Sequence, residues 1–242
     1  NHAATGANDG TSWADAYTSL STALNNANVG GEVWVAQGKY KPGSSQDDEF
    51  KVEQTLKILG GFSGTETRKS ERHWFANRTT LSGDLNNSSS ANIGDSHRII
   101  NISASNVTLD GFTIEHSYND AGTYGAGLLI GGSGSTILHC VFRRNEARGN
   151  GSNGRGGGIV ALQDTRVESS LFYNNTASDQ GGAMFIESSD EVFLINCTMA
   201  NNYAGHGGGI YGVDANVYTT NSIYTNNSGN SGNINCSGGW AK

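Results

Sequence analysis

The sequence is poor in proline, cysteine and charged residues, and it contains no long hydrophobic run. One proline and 35 glycines occur among 242 residues, and 15% of the residues are charged. No run approaches the roughly 20 apolar residues of a membrane helix, so membrane insertion is not expected. Low charge and abundant glycine favour disorder, unless the chain stacks short repeats around a thin core.

Net charge and cysteine content argue against further classes of protein. A net charge of −7 and a pI near 5.3 argue against a nucleic-acid binder, which needs a basic face. Three cysteines permit at most one internal disulfide, and no CxxC or paired histidine spacing indicates a metal centre. The start at Asn1, without an initiator Met or a signal peptide, suggests a mature or trimmed product.

What the sequence does contain is a repeat of a glycine-rich segment followed by a short apolar run that ends on asparagine. The second motif of each copy occupies residues 140–145, 170–175, 197–202 and 222–227. A period in the twenties, with Gly and Asn between short β-type runs, is typical of a solenoid. We therefore predict an all-β, single-stranded, right-handed parallel β-helix, with the hand taken from the general crossover rule.

Stacking the copies predicts which side chains form the core. Small residues would recur at one inward position and larger apolar residues two places later: Gly111, Cys140, Ser170, Cys197 and Ser222, then Phe142, Phe172, Met199 and Tyr224. Asn145, Asn175, Asn202 and Asn227 would bond to one another along a turn. Cys140 and Cys197 would lie two coils apart, roughly 9–10 Å, which is too far for a disulfide. Cys236 is free on this reading, or pairs outside the repeat.

The remaining segments complete one domain over residues 1–242. Residues 1–42 are expected to form an N-terminal cap and first coil, with a short helix capped by Thr18 or Ser19 and ended by Gly30-Gly31. Residues 64–96 are expected to be a long insertion, 97–227 the regular coils and 228–242 a C-terminal tail. No strong cap is visible in that tail, so further domains of a longer chain are expected.

Two sets of motifs resemble known families. Residues 8–13, 33–40 and 60–67, continuing through Trp74 to 81–85, resemble the N-terminal part of large secreted bacterial right-handed β-helix proteins of the surface-anchored type. The Gly-Gly plus Phe-x-x-Asn pairing is similar to repeats of the chlamydial polymorphic outer-membrane adhesins. The resemblance covers nearly the whole chain and implies a secreted or cell-surface location, with glycans or cell surfaces as partners. β-Helices also include pectate-lyase-like and polygalacturonase-like enzymes, so an active site has to be sought.

The catalytic candidates are His206, Glu168 and Arg144. Gly205-His206-Gly207 matches a polygalacturonase segment, but those enzymes need clustered aspartates on neighbouring coils, and a turn histidine is the simpler interpretation. The repeat aligns Glu168 with the inward positions of Leu109, Leu138 and Ile195. It is then either a functional buried carboxylate or, as we favour, displaced by a one-residue bulge that puts Val167 inside.

The binding candidates form a strip rich in arginine. Glu115, Arg144, Asn174 and Asn201 are predicted to occupy equivalent positions in successive coils, and a basic cluster surrounds them: Arg143, Arg144, Arg148, Arg155 and Arg166. Arginines can hold the carboxylates of an acidic sugar, and rings can stack on sugars: Tyr118, Tyr124, Tyr173, Tyr203, Tyr211 and Trp240. The alternatives are a solvated face of mixed charge, a glycan site, and a polyuronate lyase.

Calcium is a candidate ligand, because acidic loops supply oxygen atoms at Asp47, Asp48, Glu49, Asp84 and Asp95, although no defined loop pattern is present. Taken together, the sequence favours an extracellular surface or adhesion module, with glycans as candidate ligands and no catalysis of its own. The alternative is a polysaccharide-degrading enzyme, either a lyase that uses the arginine-rich strip or a glycoside hydrolase.

Overall fold

Short strands and sharp turns wind the chain into a right-handed parallel β-helix of about seven coils in the computed structural model. The structure describes residues 1–149, 154–187 and 191–241, and for Trp240 the backbone only. Within that part of the chain the strands are numbered β1–β25 in chain order. Each pairs in parallel with its counterpart in the next coil, as predicted.

Three long sheets run along the solenoid. The β1 sheet contains β1 Glu32–Ala36, β4 Lys57–Phe62, β7 Thr108–Asp110, β11 Ser135–Leu138, β15 Thr165–Glu168, β19 Val192–Ile195, β22 Asn216–Thr220 and β25 Trp240–Ala241. The β2 sheet contains β2 Gly38–Tyr40, β5 Thr79–Ser82, β8 Phe112–Glu115, β12 Val141–Arg143, β16 Leu171–Tyr173, β20 Thr198–Ala200 and β23 Ile223–Thr225. The β3 sheet contains β3 Phe50–Val52, β6 Ile100–Ile102, β10 Leu128–Ile130, β14 Ile159–Ala161, β18 Met184–Glu187, β21 Ile210–Val213 and β24 Ile234–Ser237.

A small fourth sheet follows the β2 sheet in three of the coils. It contains β9 Tyr118–Asn119, β13 Glu146–Ala147 and β17 Thr176–Ala177. Two other elements lie outside the sheets, namely α1 Leu20–Asn26 and a 3-10 helix Lys69–Glu71. Because each strand has only two to six residues, its stability depends on the coils above and below it.

The core consists of rows of equivalent side chains stacked from coil to coil. In the β2 sheet one inward row contains Tyr40, Leu81, Ile114, Phe142, Phe172, Met199 and Tyr224. The rings of Phe142 and Phe172 stack 4.8 Å apart with planes within 7°. The predicted large apolar row from Phe142 to Tyr224 is confirmed. The predicted alignment of Gly111 with Cys140 was wrong by one residue, because Phe112 is the residue equivalent to Cys140.

The predicted asparagine ladder is confirmed. Asn145, Asn175 and Asn202 are fully buried, and each donates its side-chain amide to the Oδ1 of the next asparagine, at 3.1, 2.9 and 2.8 Å. The last of these bonds goes to Asn227, which is 9% exposed. Each amide also donates to a backbone carbonyl of the preceding coil. The ladder therefore satisfies buried polar groups along one edge of the core.

The residue before each ladder position turns the chain with a positive φ. These residues are His116, Arg144, Asn174, Asn201 and Asn226, with φ between 53° and 61°. Asparagine adopts this left-handed conformation more readily than most residues, which accounts for its recurrence. Arg144, Asn174 and Asn201 are thus equivalent, as predicted. Glu115 is not, because it pairs with Arg143 and lies one residue earlier in the coil.

The N-terminal helix covers the end of the core. Ser19 is its N-cap and accepts a hydrogen bond from the Thr22 N–H, as predicted. The helix ends at Asn26, before the glycine pair that was expected to stop it. Leu20 and Leu24 join the main hydrophobic cluster beside Val33 and Phe50, so the helix shields apolar side chains at the first coil.

Three segments without a visible copy of the repeat contain strands of the solenoid. The expected insertion at 64–96 includes β5, which pairs with β2 and β8. The polar segment that begins at Gly43 leads into β3, and the tail contributes β24 and β25. These strands lacked a recognisable copy of the repeat, although their inward residues, such as Leu81 and Phe50, are buried.

The three cysteines are free thiols in the structure. Cys140 and Cys197 are buried free thiols, and Cys236 is a half-buried free thiol. Burial raises the pKa of Cys140 to about 12 and also raises the pKa of Cys197. No helix in the described residues is long and apolar enough to cross a membrane.

Candidate functional site

A groove lies on the outer face of the β2 sheet, against the segment that leads into β5. It has a volume of about 190 Å³. We call it the aromatic groove, and its lining residues are Trp74, Phe75, Arg78, Gly111, Phe112, Thr113, His139, Val141, Arg143, Leu171 and Tyr173. Three successive coils supply its floor through β8, β12 and β16.

Two glycines allow the segment that leads into β5, a loop that carries Trp74 and Phe75, to pack directly on the coils. Gly61 and Gly111 have φ of 92° and 85°, and a Cβ on Gly61 would lie 2.4 Å from the Trp74 Cα. A Cβ on Gly111 would lie 3.0 Å from the Trp74 Cβ. The loop thus reaches the sheet only because both positions lack a side chain. It leaves Trp74 39% exposed and Phe75 73% exposed at the groove wall.

A buried carboxylate holds the loop and a histidine together. Asp110, 6% exposed, accepts hydrogen bonds from the guanidinium of Arg72 and from His139 Nδ1, the latter at 2.9 Å. Because an ionised carboxylate only accepts, Nδ1 carries the hydrogen and Nε2 is the acceptor of the neutral ring. The His139 ring stacks on Trp74 at 4.8 Å with planes within 20°. The groove therefore contains an oriented imidazole.

Two guanidinium groups line the groove, and they differ in their partners. Arg143 donates through Nε to Glu115 at 2.6 Å and through Nη1 to the Tyr173 hydroxyl at 2.9 Å. Burial works against the charge of Arg143, but these hydrogen bonds outweigh it and raise its pKa. Arg78 is exposed, and no carboxylate of the described residues lies within salt-bridge distance of it. Arg78 is thus a free cation beside exposed aromatic rings.

The structure brings together part of the predicted strip. Arg143 and Tyr173 line the groove, and Glu115 lies under Arg143 with 4% exposure. Arg144, Asn174 and Asn201 lie on the neighbouring turn, and Tyr203 lies further along the coil with 53% exposure. The other predicted tyrosines are half-buried: Tyr118, Tyr124 and Tyr211. The side chain of Trp240 lies outside the described residues.

Most of the arginine cluster is charge-paired. Arg148 pairs with Glu146, Arg155 lies near Asp179 and Glu187, and Arg166 pairs with Glu168. Arg155 also lies over the Phe185 ring, 4.8 Å from its centroid. These contacts suit a solvated face of balanced charge, so only Arg143 of the cluster belongs to the groove.

The three catalytic candidates lie apart from one another in the coil. Arg144 is on the turn after the β2 sheet, Glu168 ends a strand of the β1 sheet, and His206 is exposed before the β3 sheet. Val167 faces the core, as favoured, and Glu168 points outward. The expected bulge is absent from β15, whose pairing with both neighbouring strands is continuous. Leu138 and Ile195 share the outward position with Glu168, so their inward assignment was wrong.

The candidate calcium ligands already have other partners. Asp47 bonds to His97, Glu49 to Arg98, and Asp48 to the N–H groups of Ser44 and Ser45. Asp84 and Asp95 each accept backbone N–H groups within their own loop. The described residues contain no group of three or more His, Cys, Asp or Glu side chains that could hold a metal.

Sequence reasoning missed four residues of the groove: Trp74, Phe75, Arg78 and His139. One signal for His139 was present, since the equivalent turn residues of other coils are Gly111, Ser169, Asn196 and Asn221, all with positive φ. A histidine at a position otherwise occupied by small residues or asparagine is conspicuous once the coils are aligned correctly. The loop residues had no such signal.

Comparisons with known proteins add no relative. No family model matches the chain, and no curated protein and no solved structure shows significant similarity to it. The function therefore has to be inferred from the geometry of the groove.

Proposed function

We propose that this protein is an extracellular surface module that binds an acidic saccharide in the aromatic groove, without catalysis of its own. The observation that carries the proposal is the free guanidinium of Arg78 beside the exposed rings of Trp74 and Phe75. Aromatic rings provide the apolar platform on which sugar rings stack, and arginine binds a carboxylate through two parallel hydrogen bonds.

The floor of the groove supports the same ligand class. Val141 and Leu171 supply half-exposed apolar surface, while Arg143 and Tyr173 supply hydrogen-bonding groups at one side. A saccharide needs both kinds of contact, because its ring faces are apolar and its hydroxyl groups are polar. The row of outward side chains that contains Val141 and Leu171 continues along the sheet through Thr198 and the exposed Ile223. This row could contact further sugar units of a longer saccharide.

Binding of oligogalacturonate to the full chain, measured by calorimetry, tests the proposal. Its methyl ester is the matched probe, because it keeps the sugar rings and removes the negative charge. We expect the free acid to bind about 10-fold or more tightly than the ester, since a charged hydrogen bond contributes about 1.5–3 kcal/mol. Arg78→Ala should remove the preference for the free acid, and Phe75→Ala should lower the affinity for both probes.

A matched control is Lys51→Ala, which removes an exposed cation on the β3 sheet and should leave binding unchanged. If Lys51→Ala weakens binding as much as Arg78→Ala, the attraction is one of general charge and the groove is not the site. If neither probe binds, nor comparable alginate and hyaluronan oligomers, the proposal fails.

A second candidate function is β-elimination of a polyuronate, favoured by the oriented His139. Nε2 of the neutral His139 ring would take the proton from the carbon next to the sugar carboxylate, the glycosidic C–O bond on the adjacent carbon would break, and a C=C bond would form between the two carbons. The imidazolium would then give its proton to the leaving oxygen, which returns His139 to its starting state. Appearance of the ultraviolet absorbance of an unsaturated uronate, lost in His139→Gln, supports this function. Saccharide binding without such absorbance supports the module without catalysis.

The extracellular location belongs to the same proposal, and its support is the resemblance of the N-terminal segments to secreted β-helix proteins. Protease treatment of intact cells of the source organism tests it. Digestion of the chain on intact cells is the expected result, and protection until lysis would contradict a surface location.

A further inference from the structure

A second cavity lies at the N-terminal cap, between residues 9–17, the end of α1 and the start of β1. Its volume is about 810 Å³, and it shares no lining residue with the aromatic groove. Its walls combine aromatic rings with acidic side chains. We call it the cap cleft.

Hydrogen bonds and stacking hold the rings of the cap cleft in place. Trp34 stacks on Phe62 at 4.7 Å with planes within 9°, and its Nε1 donates to Glu32 Oε2 at 3.0 Å. Trp13 donates through Nε1 to the Glu66 carbonyl at 2.8 Å. Trp13, Tyr17 and Trp34 all keep part of their surface exposed at the cleft. The rings are therefore positioned before any ligand arrives.

The charges of the cap cleft are negative. Asp9, Glu32 and Glu66 line it, and no lysine or arginine of the described part of the chain belongs to the lining. Glu66 accepts the N–H groups of Ser63, Gly64 and Thr65; although burial acts against ionisation, these bonds lower its pKa. Glu66 is thus a fixed anion at neutral pH.

Three cationic groups lie near these carboxylates, and one of them is Lys57, which faces Glu32 from the next strand of the β1 sheet. The hydrogen bond from Lys69 and the charge of Lys57 together lower the pKa of Glu32. Lys69 reaches Glu32 Oε1 at 2.6 Å from outside the lining, with its side chain 52% exposed. The α-amino group of Asn1 donates to the Tyr17 carbonyl at 3.2 Å, and burial lowers its pKa. Among the described residues, no lysine or arginine forms an ion pair with Asp9 or Glu66, and the cation–π contacts involve other rings than those of the cap cleft.

We propose that the cap cleft binds a small organic cation, an ammonium group that lies against the tryptophan rings and beside the carboxylates. Indole faces attract cations electrostatically, and desolvation inside a cleft strengthens that attraction. The aromatic groove, which has arginines where the cap cleft has acids, selects the opposite charge. This inference is independent of saccharide binding, because the two sites share no residue.

Calorimetric titration of the full chain with choline tests the inference, and 3,3-dimethylbutan-1-ol is the neutral probe of the same shape. We expect choline to bind at least about 10-fold more tightly than the alcohol, because only choline gains the cation–π and carboxylate attraction. Equal affinities, or no binding of either probe, would overturn the inference.

Variants locate the binding within the chain. Glu32→Gln removes a carboxylate and frees Lys69, so choline affinity should fall about 5-fold or more. Trp34→Leu should abolish choline binding, and thermal melting checks that this variant is folded. If the Trp34→Leu variant does not fold, the exposed Glu32→Gln variant still tests whether choline binds in the cap cleft. Glu53→Gln, at an exposed acid outside the cleft, and Arg78→Ala in the groove should leave choline affinity unchanged. An unaltered affinity in Glu32→Gln would refute the site.

Discussion

Removing one member of the asparagine ladder should destabilise the solenoid strongly. Asn175 is fully buried, and its Oδ1 accepts hydrogen bonds from the N–H and the Nδ2 of Asn145, at 3.2 and 3.1 Å. Its Nδ2 donates to the Phe142 carbonyl and to Asn202 Oδ1, both at 2.9 Å. Asn175→Ala removes all four bonds and keeps the backbone bond from the Asn175 N–H to Asn202 Oδ1.

The expected magnitude follows from the groups left without partners. Two buried donors of Asn145 lose their acceptor, and each orphaned group costs about 1–3 kcal/mol, which gives about 2–6 kcal/mol in total. For a chain of this length the melting temperature falls by about 2–4 °C per kcal/mol, so a loss near 4 kcal/mol lowers it by about 8–16 °C. Urea unfolding and thermal melting followed by circular dichroism both measure the change.

The neighbouring asparagine supplies the control. Asn174 is exposed, has a φ of 56°, and makes only a backbone hydrogen bond to the next coil among the contacts of the described residues. Asn174→Gly should stay within about 1 kcal/mol of the native chain, because glycine adopts a positive φ freely. If Asn175→Ala is no more destabilising than Asn174→Gly, the ladder does not stabilise the fold and the reasoning is refuted.

Two further predictions concern a histidine and the thiols. His116 is buried without a hydrogen-bond partner among the described residues, and burial lowers its pKa despite the nearby Glu115. The unfolded chain then binds the proton first as the pH falls, so native stability decreases below about pH 6.5. His116→Asn should reduce the fall in melting temperature between about pH 7.5 and pH 5.5 by about 2–4 °C, and an unchanged fall would contradict this cause. Burial raises the pKa of both thiols, to about 12 for Cys140, and Cys236 is only half-buried. A thiol reagent should therefore modify Cys140 about 100-fold or more slowly than Cys236 in the native chain, and equal rates before denaturation would contradict the burial of Cys140.

The two candidate sites both lie where irregular chain packs on regular coils. The aromatic groove forms where the loop carrying Trp74 meets Gly61 and Gly111, and the cap cleft forms where residues 9–17 meet β1. The regular coils themselves expose charged side chains that pair with one another, such as Arg166 with Glu168. This arrangement is typical of solenoids, in which the repeat supplies a rigid support and the insertions supply specificity.

The sequence by itself determined the solenoid and much of its interior. The spacing of Asn145, Asn175, Asn202 and Asn227 identified the ladder, and the apolar row from Phe142 to Tyr224 identified the core. Both are consequences of stacking equal units, since a residue type that suits one coil suits the next. The N-cap at Ser19 was likewise local, because a cap depends on its own residue and the N–H groups that follow it.

Only the tertiary structure decided which polar residues share a surface. Glu115 was placed beside Arg144 by the sequence and lies beneath Arg143 in the fold. A shift of one residue moves a side chain from the sheet to the turn, and the repeat is too degenerate in its first coils to exclude it. The aromatic groove joins Trp74, Gly111 and His139, which are distant along the chain, and no local pattern predicts their contact. Charge neutralisation within the arginine cluster also depends on distances between coils, which only the folded chain supplies.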